Sequence, residues 1–213
     1  MKIKWLGHSS FLIISKNNKK ILIDPFDDTI GYEVYKEKAD IVLISHHHFD
    51  HNCLQYVRGD YVVIDSHGEF LIDDIKIKGF KSYHDKFNGS KRGENTIFKV
   101  EVDGITLCHL GDLGHLLTLK EIQTLGNINI LLIPVGGNYT IDNKEAYSLC
   151  RSIKSNLVIP MHYKTPRLNF ELSGIEDFLI NFTHSEKIDS NILDIENLQP
   201  IRNLENKLFI LDY

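Results

Sequence analysis

The sequence of 213 residues has little cysteine, only Cys53, Cys108 and Cys150, an odd number with no Cys-x-x-Cys spacing. That argues against a disulfide framework and suits a reducing compartment. Long apolar runs are missing too. Phe11 to Ile14, near the N-terminus, is short and bounded by charge, too little for a signal peptide or for the ~20 apolar residues of a membrane span. A cytoplasmic protein without membrane association is expected. Nor is there a basic arm: Lys16 to Lys20 holds three lysines, but Asn17 and Asn18 separate them, as in a solvated hairpin tip. With a net charge of −5 the chain is a poor candidate for wrapping nucleic acid, whereas an anionic small molecule could still be bound locally. No linker, low-complexity tract or close repeat interrupts the sequence. One domain over residues 1–213 is the expectation, its 42 % apolar and 25 % charged residues being ordinary for a globular protein.

What is present is a series of strand-length apolar runs. Lys2 to Leu6, Phe11 to Ile14 and Ile21 to Ile23 open the chain, and Ile41 to Ile44 reads as a strand buried on both faces. Tyr61 to Ile64, Phe70 to Ile72 and Ile75 to Lys78 follow. After a Gly- and charge-rich loop, Thr96 to Val102 and Ile105 to His109 flank an Asp103-Gly104 hairpin signal. The second half alternates. Leu116 to Leu125 and Asp142 to Ile153 have helical spacing, with capping boxes Thr118/Glu121 and Asp142/Glu145. Ile130 to Val135 and Leu157 to Ile159 read as buried strands, Ser173 to Ile180 as a helix and Leu208 to Leu211 as a closing strand without an assigned partner. Strands first and alternating strands and helices later predict sheets with helices packed outside.

Metal-binding residue types stand just beyond the ends of three of these strands, where open α/β sheets place their sites. Ile41 to Ile44 leads into Ser45-His46-His47-His48-Phe49-Asp50-His51, Ile105 to Leu110 into Gly111-Asp112, and Leu157 to Ile159 into Pro160-Met161-His162. In extended backbone His46 and His48 point the same way and can grip one ion, while His47 points opposite. As the chain turns, Asp50 and His51 can reach a second ion. Imidazole and carboxylate suit Zn²⁺ and Mn²⁺, and also Fe²⁺.

The His46-x-His48-x-Asp50-His51 run after a buried strand resembles the mark of the metallo-β-lactamase superfamily. The resemblance implies an α/β fold, an αββα four-layer sandwich of two mixed β-sheets flanked by helices, with the site at one edge. It implies one metal held by His46, His48 and His84, a second by Asp50, His51 and His162, and Asp112 shared. His67 is an upstream rival to His84. Asp24, ending the strand before the motif, fits a residue that orients the His46 loop by hydrogen bonds. His109, inside a strand, reads as a packed core histidine. Asp112 in the bridging position points away from zinc β-lactamases towards lactonase, thioesterase and phosphodiesterase branches. Trp5 to Phe11, Gly111 to His115, Pro134 to Gly137 and Pro160 to Lys164 look most like the L-ascorbate-6-phosphate lactonase-like group of small metal-dependent hydrolases.

The expectation is therefore a dinuclear metal-dependent hydrolase. A metal-bridging hydroxide would attack a small ester, lactone or phosphoester, with Asp50 orienting it and passing on a proton. His8 and His115 are candidates for the pocket wall or for acid catalysis, Lys164 for meeting a substrate phosphate or carboxylate. Lys91 and Arg92 sit on a loop that could cover an anionic substrate. The alternatives are a non-catalytic metal-binding or sensor module on the same fold, and a phosphodiesterase or nuclease. A small-molecule substrate is the expected partner, and a homo-oligomer is compatible with the sequence.

Overall fold

In the computed structural model residues 1–183, 185–198 and 201–213 are described. The N-terminal part lays down β1 (Lys2–Gly7), β2 (Ser10–Ile14), β3 (Lys20–Ile23), β4 (Ile41–Leu43) and β5 (Val62–Ile64). An antiparallel meander follows, β6 (Gly68–Ile72), β7 (Ile75–Tyr83), β8 (Glu94–Val102) and β9 (Ile105–His109). Helix α1 (Leu119–Leu125), β10 (Ile130–Pro134), α2 (Asn143–Ile153) and β11 (Leu157–Met161) alternate after it. The chain closes with α3 (Glu176–Leu179), β12 (Ser185–Ile188), β13 (Ile192–Asp194) and β14 (Lys207–Leu211).

These strands form two mixed sheets, one of six in the order β13-β1-β2-β3-β4-β5 and one of eight in the order β12-β14-β11-β10-β9-β8-β7-β6. Alternation along each strand decides which face is buried against what. Ile3, Trp5, Phe11, Ile13, Ile21, Ile23, Ile41 and Leu43 of the first sheet share a core with Ile77, Val100 and Leu107 of the second. Leu12, Leu22 and Val42 point the other way, into a smaller cluster with Phe26, Ile30 and Leu168. That outer face is covered by irregular segments, since among the described residues every α-helix lies beyond Thr118. Both expected capping boxes are formed at α1 and α2, and these helices add Leu125, Ala146, Leu149 and Cys150 to the main core. The two sheets of the expected fold are present, with the helices confined to the C-terminal half.

One helix is shorter than expected, and two strands appear that were not. The helix expected over Ser173 to Ile180 is only Glu176–Leu179. The backbone of Ser173 is engaged elsewhere, its N–H on Gly136 O and its carbonyl with Lys164 N. Strands β12 and β13 were not expected from their polar sequences; they form because β14 and β1 offer free edges to pair with. The closing strand β14 finds its partners in β11 and β12, parallel to both. No helix among the described residues is long and apolar enough to cross a membrane.

Strand direction positions the site. β1 is antiparallel to β2, β2 to β3, and β3 is parallel to β4, so β1, β3 and β4 run the same way. By the same reasoning β7, β9 and β11 share one direction. Their C-terminal ends lead to His8, Asp24 and the His46–His51 loop on one sheet, and to His84, Asp112 and His162 on the other. The sheets are stitched at this edge by Thr96 N donating to Ser45 O at 2.8 Å.

Candidate metal centre

The site is built on Asp24. Its Oδ1 accepts from Ser45 N at 2.7 Å, and its Oδ2 accepts from Ser45 Oγ at 2.6 Å and lies 3.0 Å from His51 Nδ1. A carboxylate can only accept, so His51 carries a proton on Nδ1, and in the neutral ring Nε2 is left a free lone pair. Ser45 spends its hydroxyl proton on Asp24 and therefore accepts from His46 Nδ1 at 2.9 Å, which frees His46 Nε2 in the same way. Both freed nitrogens are buried and make no hydrogen bond. Unpaired buried acceptors are expensive unless a cation takes them up.

They converge on Asp112. Its Oδ2 lies 3.1 Å from His162 Nε2, 3.4 Å from the Nε2 atoms of His51 and His84, and 4.0 Å from His46 Nε2. Two ligands each ~2.1 Å from a tetrahedral ion stand about 3.4 Å apart, so the spacing is that of ligands sharing an ion. His48 joins through its ring, 4.6 Å from that of His46 and 5.0 Å from that of His84. Ligand atoms of His46, His48 and His84 lie within 4.8 Å of one another, as do those of His46, His51 and Asp112, and of His8, His51 and His162.

Asp112 is held as firmly as Asp24. Its N–H donates to Asn95 Oδ1 at 2.9 Å, while Asn95 Nδ2 donates to Ser82 Oγ and Leu110 O. Ser9 Oγ donates to Asp112 Oδ1 at 3.4 Å. Gly111 takes φ +58°, and a Cβ there would stand 2.2 Å from Asn95 Oδ1 and 2.8 Å from Ser45 Cβ, so the strand exit tolerates no side chain. His8, Asp24 and His162 also have positive φ, 51°, 48° and 51°. Left-handed non-glycine backbone is strained and persists where the surroundings impose it.

Burial works against the charge of Asp50 and Asp112, yet the imidazoles around them hold both carboxyls below the usual range. For Asp50 these are His51 and His8, for Asp112 His162 and His51. His51 is pushed well above the ordinary histidine value although fully buried, because Asp112, Asp50 and Asp24 surround it. Positive charge is favoured at that point, and a divalent cation supplies it equally well. Burial lowers His46 to about 2 and His8 to about 4, with His51 and His162 respectively adding to the effect. Burial likewise lowers His84. Neutral imidazoles beside ionised carboxylates are the ligand states a Zn²⁺, Mn²⁺ or Fe²⁺ ion requires.

The fold brings His46, His48, Asp50, His51, His84, Asp112 and His162 together at one edge. His8 joins them, its Nε2 3.1 Å from Asp50 Oδ2 and its ring 4.5 Å from that of His162. Asp24 lies beneath. His115 and Lys164 lie outside the cleft lining. His115 Nε2 accepts from Tyr83 N at 3.3 Å, and Lys164 Nζ donates to Leu168 O and Phe170 O at 2.9 and 2.7 Å. His67 is exposed. His47 is also exposed, lies at the cleft rim and has Asp65 at 3.4 Å. His109 is buried, with Nε2 on Ser9 O and Nδ1 accepting from Gly111 N. The polar supports Ser9, Ser45 and Asn95 escaped sequence reading because small polar residues at strand ends carry no distinctive spacing.

Above the centre opens a cleft of about 500 Å³ lined by His48, Asp50, His84, Asp112 and His162, with Phe49, Arg92, Tyr139 and Phe170 also in its wall. A family model described as a beta-lactamase superfamily domain matches residues 2–162. The chain belongs to that superfamily. Among its superfamily relatives, a UPF0173 metal-dependent hydrolase of Pelotomaculum thermopropionicum is 32% identical over 78% of this chain and 85% of its own length. A second, from Thermococcus kodakarensis, is 30% identical over the same shares. Among solved structures, a Thermotoga maritima protein described as a candidate Zn-dependent hydrolase of the metallo-β-lactamase superfamily is 38% identical. It superposes with a TM-score of 0.82 over 99% of this chain and 97% of its own.

Proposed function

We propose that this superfamily member is a dinuclear metal-dependent hydrolase of a small ester, lactone or phosphoester. The observation that carries the reading is Asp112 Oδ2, ringed by four imidazole nitrogens at 3.1–4.0 Å. His46, His48 and His84 would hold one ion, Asp50, His51 and His162 the other, and Asp112 both; Zn²⁺ and Mn²⁺ suit this set best, with Fe²⁺ also compatible. Divalent cations bound there supply a water of lowered pKa and a Lewis acid for the group to be cleaved. Asp50, which lines the cleft, would orient the attacking water and carry its proton to the leaving group, with Oδ2 held on the side of His8 and His51. His8 Nε2, 3.1 Å from that oxygen, fixes the carboxylate's rotation. A cleft of about 500 Å³ fits a small molecule rather than a polymer. The relatives' common description as metal-dependent hydrolases agrees with the reading.

The test is metal analysis of the purified protein, then a screen of lactones, thioesters and phosphodiesters against Asp112→Ala. Near two equivalents of metal and turnover lost in the variant are expected. A protein that takes up no metal after reconstitution, or turnover that survives in Asp112→Ala, would sink the proposal.

A further inference from the structure

The cleft wall contains one permanent cation, Arg92. Of its neighbours, Lys91 lies over the Phe87 ring, 4.0 Å from the centroid, and outside the cleft lining, and two other lysines are already engaged. Lys86 pairs with Glu145, and Lys164 Nζ is hydrogen-bonded to two backbone carbonyls. The Arg92 guanidinium, by contrast, has no ion pair or hydrogen bond among the described residues. It lies over the Tyr139 ring, 4.4 Å from the centroid, a contact that steadies its plane while leaving its five N–H donors free.

The loop that carries it is held in shape. Asp85, directly after His84, accepts four backbone N–H groups, from Phe87 at 2.7 Å and Gly89 at 3.0 Å on Oδ1, and from Lys91 at 2.9 Å and Arg92 at 2.8 Å on Oδ2. The loop base is closed by His84 N on Gly93 O at 3.1 Å and Gly93 N on Gly89 O at 2.9 Å. Charge-assisted bonds of this kind are among the strongest a loop can have. The Arg92 backbone is thus fixed relative to His84, and its exposed side chain is steadied by the Tyr139 ring. Around it the wall is aromatic: Tyr139 beneath, and Phe49, 57% exposed, with its ring 5.9 Å from that of Phe170.

We propose that Arg92 is the anion-recognising residue of the cleft, set in place by Asp85 and Tyr139, and that it selects molecules whose apolar body ends in a carboxylate. As a statement about substrates this rests on the hydrolytic reading above. A single guanidinium matches a carboxylate bidentately. A phosphate dianion would keep one negative charge beyond the single positive charge that this guanidinium offers. The aromatic wall offers apolar surface to the body of the ligand.

Binding, read by calorimetry on the metal-loaded protein, tests this separately from turnover. The probes are 4-phenylbutyrate, its amide and phenyl phosphate. Wild type should bind the carboxylate about tenfold more tightly than the amide. Arg92→Ala should erase that preference and Arg92→Lys restore part of it. Asp85→Asn should weaken the preference with metal content unchanged. A preference that survives in Arg92→Ala would place the carboxylate at the metals and overturn the proposal. A larger loss for phenyl phosphate than for phenylbutyrate would overturn the choice of anion. Arg92-dependent binding in a protein that hydrolyses no ester, lactone or phosphoester would leave the anion site standing and remove the hydrolytic reading.

Discussion

Asp24→Asn isolates how much of the metal site's affinity comes from a residue that touches no ligand atom of the cleft. The substitution keeps size and shape, and Asn tolerates the +48° φ found at this position. What changes is that one oxygen becomes an NH₂. If the remaining oxygen still accepts from Ser45 N, the new donor faces Ser45 Oγ and His51 Nδ1, atoms that lie 2.6 and 3.0 Å from Oδ2. His51 must then accept on Nδ1 and move its proton to Nε2, the nitrogen that faces Asp112 and Asp50 at 3.4 Å. Returning it to the useful tautomer loses one charge-assisted hydrogen bond, worth roughly 1.5–3 kcal/mol. That matches the 10–100-fold loss in metal affinity typical when such a supporting carboxylate is removed. Competition between the metal-stripped protein and a fluorescent chelator measures it, for wild type, Asp24→Asn and Ser45→Ala. Ser45→Ala keeps the His51 partner and should lose less. Unchanged affinity in Asp24→Asn would refute the argument that Asp24 sets the His51 tautomer.

Two further outcomes follow from packing. Gly111→Ala forces a side chain into left-handed backbone against Asn95 and Ser45; strain and overpacking together should remove about 2–5 kcal/mol and lower Tm by roughly 5–15 °C. A variant within ~0.5 kcal/mol of wild type in denaturant titration would contradict the close approach. Burial pushes the thiols of Cys108 and Cys150 up to about 12, so at pH 8 both stay protonated as well as covered. A chromogenic disulfide reagent should titrate Cys53 alone in the native protein and all three cysteines after unfolding; rapid native labelling of a second thiol would be the contrary result.

Much of this architecture is readable from residue patterns. The continuous apolar runs at Ile41 to Ile44 and in β2 and β3 are consequences of burial on two faces, and sequence carries that signal directly. The caps at Thr118 and Asp142 are local chemistry and are equally legible. β13 is not, because Ile192–Asp194 buries only Leu193 and exists as a strand only through the edge of β1. For the site, the spacing in His46 to His51 is a local signal, and a resemblance added His84, Asp112 and His162. Asn95, Ser9 and Tyr139 gain their roles from chain segments distant in sequence, so no window around them announces it, while Asp85 acts on its own loop, Phe87 to Arg92. Lys164 shows the converse: a cation beside His162 in sequence whose ammonium is spent on the carbonyls of Leu168 and Phe170.

The shared direction of β1, β3 and β4, and of β7, β9 and β11, has a consequence for stability. His8 and His46 to His51 hang from one sheet, and His84, Asp112 and His162 from the other. Ions gripped by both sets would act as rivets across the seam between the sheets, at an edge where polar side chains rather than the apolar core meet. A ligand present at a thousand times its dissociation constant adds about 4 kcal/mol to the folded state, comparable to a large share of a domain's whole stability. The supply of metal would then govern how long the protein survives as well as what it can do, with the seam opening first when metal is scarce.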